Sequence, residues 1–410
     1  MTGTLRKNLP APRFDRHEFA GALGDLGTDL PLIILLILTC RLDVRSVLVL
    51  FGICEVLTGL AYRLPIPVQP LKAMATITIA ASGRISPEVF AAGGVAVGAI
   101  MLVLSLSGGL EMIARVVPRL VVRGLQFGLG IKLAMLAFER AVPKVGLEIG
   151  WQGYALGAAS FAIIIMLRGN KRHPAALWVV GLGTLYALIV KGGYAGLRPD
   201  LSFHWPAPKV PGGAAFLDGL LLLAVPQLPL SVANAVIATR QTAADLFPGA
   251  DVPARKLGLT YSLANLTVPL LGGIPVCHGS GGLAGHYAFG ARTGGSAIIY
   301  GMGYLVCGLV FGGNFLGLLH AFPVAVLGVL LLFEGVQLML LSRDAAEGRE
   351  GFFLVLVTAL LAAGLPYGFA IALVVGMVMH AILRRRAAAA GQHEPQLLAG
   401  TAKGKKEDKQ

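Results

Sequence analysis

Apolar runs long enough to cross a bilayer as helices recur along this chain from residue 19 to residue 385, broken by short charged or Pro/Gly joints. Crossing roughly 30 Å of hydrocarbon takes about 20 residues of helix, because each backbone N–H and C=O must find a partner inside the membrane. The composition agrees: 56% of residues are hydrophobic, 13% are charged and the mean hydropathy is +0.75, outside the range of soluble globular proteins. The pattern predicts an all-α polytopic membrane protein with fourteen segments, two of them short. The first seven are 19–39, 45–62, 69–83 (short), 87–107, 118–139, 152–168 and 173–191. The second seven are 214–240, 254–272, 278–290 (short), 294–313, 317–341, 351–364 and 366–383.

A net charge of +13 raises the question of nucleic acid, but the basic residues are dispersed and follow membrane topology instead. With both termini cytoplasmic, 24 of the 34 Lys/Arg fall on the cytoplasmic side and 8 on the outer side, with Lys72 and Lys132 inside spans. That bias fixes the expected orientation. The expected organisation is a cytoplasmic N-terminus (1–18), a seven-span repeat (19–192), a linker (193–213), a second seven-span repeat (214–385) and a disordered cytoplasmic tail (386–410). The basic N-terminus has no apolar core or small-residue cleavage site and is not read as a signal peptide. Cys40, Cys54, Cys277 and Cys307 have neither CxxC nor paired spacing, so no disulfide framework or metal site is expected.

The chain repeats itself. "LPIPVQPLKAM" (64–74) and "GGIPVCHGSGG" (272–282) share Ile-Pro-Val before each short segment, and "TDLPLII" (28–34) matches "PQLPLSV" (226–232) in the first span of each half. The offsets, 208 and 198, imply two related halves. Seven spans per half make the second enter from the opposite side, an inverted repeat with a broken helix in each half. Irregular backbone inside a bilayer is tolerated only where protein or a watery cavity surrounds it, so Pro275 and the glycines after it are expected to line a site. Backbone N–H groups at Gly279, Ser280, Gly281 and Gly282, with the positive end of the helix dipole, would hold an anion. Gln69, Pro70, Leu71 and Lys72 would do the same from the first half.

Polar residues within spans supply the other candidates. Asp25 and Asp29 share a helical face with Thr28 beside them; one carboxyl would bind a proton or pair with Lys72, or the two would only cap and brace helices. Gln227, Ser231 and Asn234 form a polar stripe on the matching span, Gln227 as a ligand and Asn234 as interhelical glue. Lys72 would supply a fixed positive charge or snorkel from a helix end. His278 is a substrate donor, a proton carrier or a cap, whereas His286 is structural. Glu55, Lys132 and Glu334 are candidates for proton coupling or helix pairing. Gly94/Gly98 and Gly124/Gly128 stand at close-packing spacing.

Enzyme readings find no support. "HGSGG" has no GxSxG elbow, and "GSGGLAGH" lacks the Gly-Lys-Ser/Thr of a nucleotide loop. No cofactor is expected.

"GALGDLGTDLPL", "PIPVQPLKAMATI", "VVRGLQFGLG", "PQLPLSVANAVIA", "ADLFPG" and "PVCHGSGGLAGHYAFGARTGG" together resemble the molybdate transporter family, related to the SulP sulfate permeases, over residues 18–345. The resemblance implies a seven-plus-seven inverted fold shared with uracil permeases, and an elevator-like motion of a core domain (about 19–107 plus 214–313) against a gate domain (about 108–192 plus 314–385). It also implies a homodimer. The chain departs from the family at Asp29, where an apolar or aromatic residue is usual, and in "SVANAV", where "TLGNSV" is usual. Many sulfate permeases carry an arginine in the second half-helix; here the positive charge must come from Lys72, His278 or the dipoles. The resulting expectation is a secondary active transporter of a tetrahedral oxyanion in the cell membrane: molybdate, or sulfate or tungstate. Thr28, Gln69, Gln227, His278 and Ser280 would orient the anion, and Asp25, Asp29 and Asn234 would organise the site or couple protons. A nucleobase permease and a passive anion channel are the alternatives.

Overall fold

The computed structural model of the chain describes residues 10–389, apart from 82, 149, 169, 171–174, 191, 203–209 and 366. The first nine residues and most of the expected tail lie outside the described residues. Among those described, seven helices are long and apolar enough to span a bilayer: Val44–Tyr62, Pro87–Ser107, Arg119–Glu139, Gly213–Leu246, Gly295–Ala321, Val324–Arg343 and Gly368–Arg386. The bent pair Arg16–Ala22 and Leu26–Cys40 makes an eighth when taken as one span. Trp151–Leu167, Ala175–Ile189, Ala254–Thr267, Arg349–Gly364, Lys72–Ala80 and Ser280–Ala288 complete a helical counterpart for each of the fourteen expected segments. The fold is an all-α membrane architecture, with one short strand pair described below.

Four boundaries differ from expectation, each for a local reason. The first span bends by 43° between Ala22 and Leu26. There Gly24 lies directly on the Gly285 backbone, so a second segment occupies the space a straight helix would need. The span predicted to end at 240 runs on to Leu246 and contains wide π turns at Leu220–Ala224 and Ser231–Ala238, flanking Pro226 and Pro229. Proline cannot donate to the helix ladder, and such local adjustments re-satisfy the freed carbonyls. The run 317–341 is not continuous: Phe315–Ala321 belongs with the preceding helix, and Pro323 opens the next one at Val324. Finally, the last helix continues to Ala389, past the expected start of the tail.

The chain forms two compact units. In the unit comprising Met1–Ala114 and Leu133–Phe333, glycines set the helix contacts. Gly52 and Gly59 of Val44–Tyr62 lie on Gly301 and Gly294 around Gly295–Val306, while Gly98 of Pro87–Ser107 lies on Asn265 of Ala254–Thr267. The second span of the first half thus packs on the fourth of the second, and the fourth of the first on the second of the second. That reciprocal exchange is what a two-fold between halves demands. The amino-terminal helix docks here through Glu18, fully buried, whose carboxylate accepts from the backbone N–H groups of Arg292 (3.0 Å), Thr293 (2.9 Å) and Ser296 (3.0 Å).

In the unit comprising Arg115–Lys132 and Glu334–Gln410, Arg349–Gly364 packs on Gly368–Ala389 and a buried cluster forms from Leu120, Val121, Ala345, Leu354 and Val355. Gly124 and Gly128 meet Thr358 and Ala359, as their spacing predicts.

Candidate functional site

Pro65, Pro67 and Pro70 in the first half, and Pro275 in the second, lack amide protons, and the β-branched Ile66, Val68, Ile274 and Val276 stand between or beside them. Both stretches therefore run extended before their helices begin. Val68–Pro70 (β1) and Val276–His278 (β2) pair antiparallel, with Val68 opposite His278, Gln69 opposite Cys277 and Pro70 opposite Val276. The motif offset of 208 maps Gln69 onto Cys277, the central pair, and exchanges the two outer pairs. A local two-fold axis therefore passes through the centre of the site. Gln69, Pro70 and His278, expected in the half-helices, are strand residues; the helices start at Lys72 and Ser280.

Each strand is gripped at its outer edge by a side chain from the preceding span. Glu55 Oε1 accepts the Val68 N–H at 3.1 Å. Asn265 Oδ1 accepts the Val276 N–H at 3.0 Å, and its Nδ2 donates to the Val276 carbonyl at 2.6 Å. Asn265 was not a candidate from sequence. Its position, 210 residues after Glu55, was the available signal.

The first half-helix, Lys72–Ala80, is capped from another span. Gln227 Oε1 accepts the N–H groups of Ala73 (3.0 Å) and Met74 (3.2 Å), its amide donates to Ser231 Oγ (3.1 Å), and Ser231 bonds Tyr261 (2.7 Å). Two of the four orphan donors at this helix start are thus taken, and the buried Gln227 is held within the protein. Lys72, the first helical residue, is half-buried.

The second half-helix, Ser280–Ala288, starts against Asp25 and Gln69. Gln69 Nε2 donates to both oxygens of Asp25, at 2.7 Å each. Gly279 and Gly282 are needed here, because a Cβ at either would collide with Gln69 or with Asp25. Gly281 differs: it is exposed, and a Cβ there would meet nothing within 4 Å. Ser280 Oγ donates to Asn234 at 2.8 Å, so Asn234 ties the long helix to the half-helix start.

His278 turns away from both starts. Its Nε2 pairs with Thr260 Oγ1 at 2.7 Å, and its ring meets Tyr62 edge-on at 5.3 Å. His286 is fully buried with Nδ1 3.0 Å from Ser296 Oγ, a structural position. Asp29, also fully buried, accepts from Tyr300 at 3.4 Å, and Tyr300 bonds Tyr304 at 2.9 Å. Thr28 lies half-buried in the first turn after Asp25. Asp25 and Gln69 thus meet at the second half-helix and Gln227 caps the first, whereas Asp29 and His278 bond elsewhere.

The geometry sets an electrostatic opposition. Each half-helix start carries positive potential, and the Asp25 carboxyl, held by the Gln69 amide, lies against the second of them. A neighbouring crevice of about 900 Å³, lined by Leu30, Ile34, Tyr300, Tyr304 and other apolar residues, does not include either half-helix start. With almost no polar groups, it offers nothing to replace the hydration of a dianion.

Broken helices meeting on a two-fold strand pair, inside an all-helical inverted repeat, define a SulP-like membrane transporter fold. Solved structures share it. The transmembrane domain of the cyanobacterial bicarbonate transporter BicA superposes with a TM-score of 0.65 at 17% identity, covering 88% of this chain and 96% of that one. SLC26A9 gives 0.67 at 13% identity, covering 90% of this chain and 65% of that one. Residues 17–133 and 219–338 match the family described as "Molybdate transporter of MFS superfamily". Among similar proteins, "Molybdate transporter 2" of Arabidopsis thaliana is 32% identical over 94% of this chain and 90% of its own length, and "Molybdate transporter 1" of that plant is 33% identical over 94% and 92%. The chain belongs to the molybdate transporter family, a family of multi-pass membrane transporters.

Proposed function

We propose that this protein moves a tetrahedral oxyanion across the cell membrane by secondary active transport, with molybdate as the principal substrate and tungstate and sulfate as its competitors. The observation that supports the reading is the antiparallel β1–β2 pair, with a half-helix starting directly after each strand, at Lys72 and at Ser280. A helix start offers backbone donors and positive potential together, and a fixed ammonium adds full charge without a proton-transfer step. The names of the two plant relatives support molybdate over other anions. A "Probable sulfate transporter" of Mycobacterium tuberculosis, 26% identical over 58% of this chain, supports a shared oxyanion chemistry.

In this reading Lys72, the backbone N–H groups of Gly281 and Gly282, and Ser280 hold the anion, and Thr28 faces it from the first span. Gln69 with Asp25, and Gln227 with Ala73 and Met74, fix the two helix starts. His278 braces β2 through Thr260. Transport proceeds as a core (about 19–107 plus 214–313) carries the site past a gate (about 108–192 plus 314–385), in a homodimer with cytoplasmic termini.

The test is uptake of labelled molybdate into proteoliposomes, with excess tungstate, sulfate or uracil outside. Saturable uptake, blocked by tungstate and lost in Lys72→Ala, is expected. Uptake competed by uracil alone, or unsaturable flux, overturns the reading.

A further inference from the structure

Glu55 does something that the anion site does not require. It is fully buried in the second span, and its Oε2 has no hydrogen-bond partner among the described residues. Among the described residues, the titratable groups that act on it are Cys54 on its own helix, Asp25 from the first span and Tyr304 from the Gly295–Ala321 helix. None of them is a cation. An ionised carboxylate, taken out of water with a single N–H donor, faces a heavy desolvation penalty that a proton removes.

The two-fold says where that proton goes. Val68 and Val276 are equivalent under the offset of 208, and Glu55 and Asn265 hold their respective N–H groups from equivalent spans. Asn265 has a second bond, from its amide to the Val276 carbonyl at 2.6 Å. A carboxylic acid has the shape of that amide, with an O–H where asparagine has an N–H. A carboxylate has only acceptors, so it would hold the Val68 N–H and turn a bare oxygen toward the edge that Asn265 satisfies in the other half.

We propose that Glu55 is a proton-binding site of this transporter, gripping β1 as a neutral acid in the way Asn265 grips β2. Loss of the proton leaves the Val68 N–H bond but removes the donor from the other carboxyl oxygen, loosening the strand that carries Gln69 and, through Gln69, reaching Asp25 at the second half-helix. The first half of the repeat is thereby titratable and the second is fixed, an asymmetry that joins proton binding to the anion site. The transport consequence rests on the anion-transport reading; the protonation of Glu55 does not.

Glu55→Gln supplies the amide permanently. In proteoliposomes, wild-type molybdate accumulation should rise several-fold under an inward proton gradient, while Glu55→Gln should retain measurable molybdate exchange and show no such rise. Infrared difference spectra across pH, which need no transport, should show a protonated-carboxyl band that is absent from Glu55→Gln. A variant that keeps the full gradient response overturns the coupling, and a carboxyl band unchanged by the substitution overturns the site. A wild type that moves no molybdate at all, yet shows the band, would instead reject the substrate reading and leave the proton site standing.

Discussion

Replacing Gly281 by alanine separates a residue that binds the anion from one that only builds the fold. A Cβ at 281 meets no heavy atom within 4 Å, and the position lies in the first turn of the Ser280–Ala288 helix. Alanine is about 1 kcal/mol better than glycine in a helix, so the variant should be at least as stable as the parent. At Gly282 the same methyl would collide with Asp25 Oδ2 and sit 2.6 Å from Pro67 Cγ and 3.0 Å from Gln69 Nε2. Overpacking of that kind costs about 1–3 kcal/mol, so Gly282→Ala should unfold at a lower temperature. A hydrogen bond to an ionised partner contributes about 1.5–3 kcal/mol, and a methyl that holds the anion off the 281 amide should raise the half-saturation constant about ten- to one-hundred-fold. The assay pairs thermal unfolding in detergent with concentration-dependent uptake in proteoliposomes. Wild-type half-saturation in Gly281→Ala, at normal expression, would refute the placement of the anion.

Further outcomes follow from other contacts. Asp25→Asn sets a donor against the Gln69 amide and should cost about 1–3 kcal/mol together with most of the uptake, whereas Asp25→Asn with Gln69→Glu restores a carboxylate–amide pair and should recover part of both. Glu18→Ala orphans three backbone donors and should lower stability by about 2–5 kcal/mol, read as a large drop in unfolding temperature. Hydrogen bonds from Ser202 and then the Arg45 guanidinium hold the Asp200 carboxyl below its ordinary value of 3.8. A depressed folded-state value gives stability that is present above pH 3.8 and lost as pH falls through the lower folded value. Ser202→Ala should therefore narrow the difference in unfolding temperature between pH 6 and about pH 3, measured by the same melt.

The spans and the two-fold were legible because membrane burial writes itself as long apolar runs, and because Ile-Pro-Val survives in both halves. Close helix packing at Gly94/Gly98 and Gly124/Gly128 was legible for the same reason: small residues at fixed spacing have one physical use inside a bilayer. What the sequence hid was partnership. Nothing local to Gln227 says that its oxygen caps a helix 154 and 153 residues earlier, at Ala73 and Met74. His278 read as a ligand because it precedes a half-helix, but strand alternation turns its ring to Thr260. Asn265, in the Ala254–Thr267 helix, had only its repeat position opposite Glu55 to mark it until β2 lay beside it. The bend at Asp25 likewise depends on Gly285, far along the chain.

The location of the anion is read most directly from a structure with tungstate bound, the heavy atom placed by its anomalous scattering. One peak per chain is expected between the Lys72 ammonium and the backbone N–H of Gly281, abolished by excess molybdate. A peak elsewhere, for example in the cleft lined by Arg41 and Arg45, with no density at the half-helix starts, would contradict it.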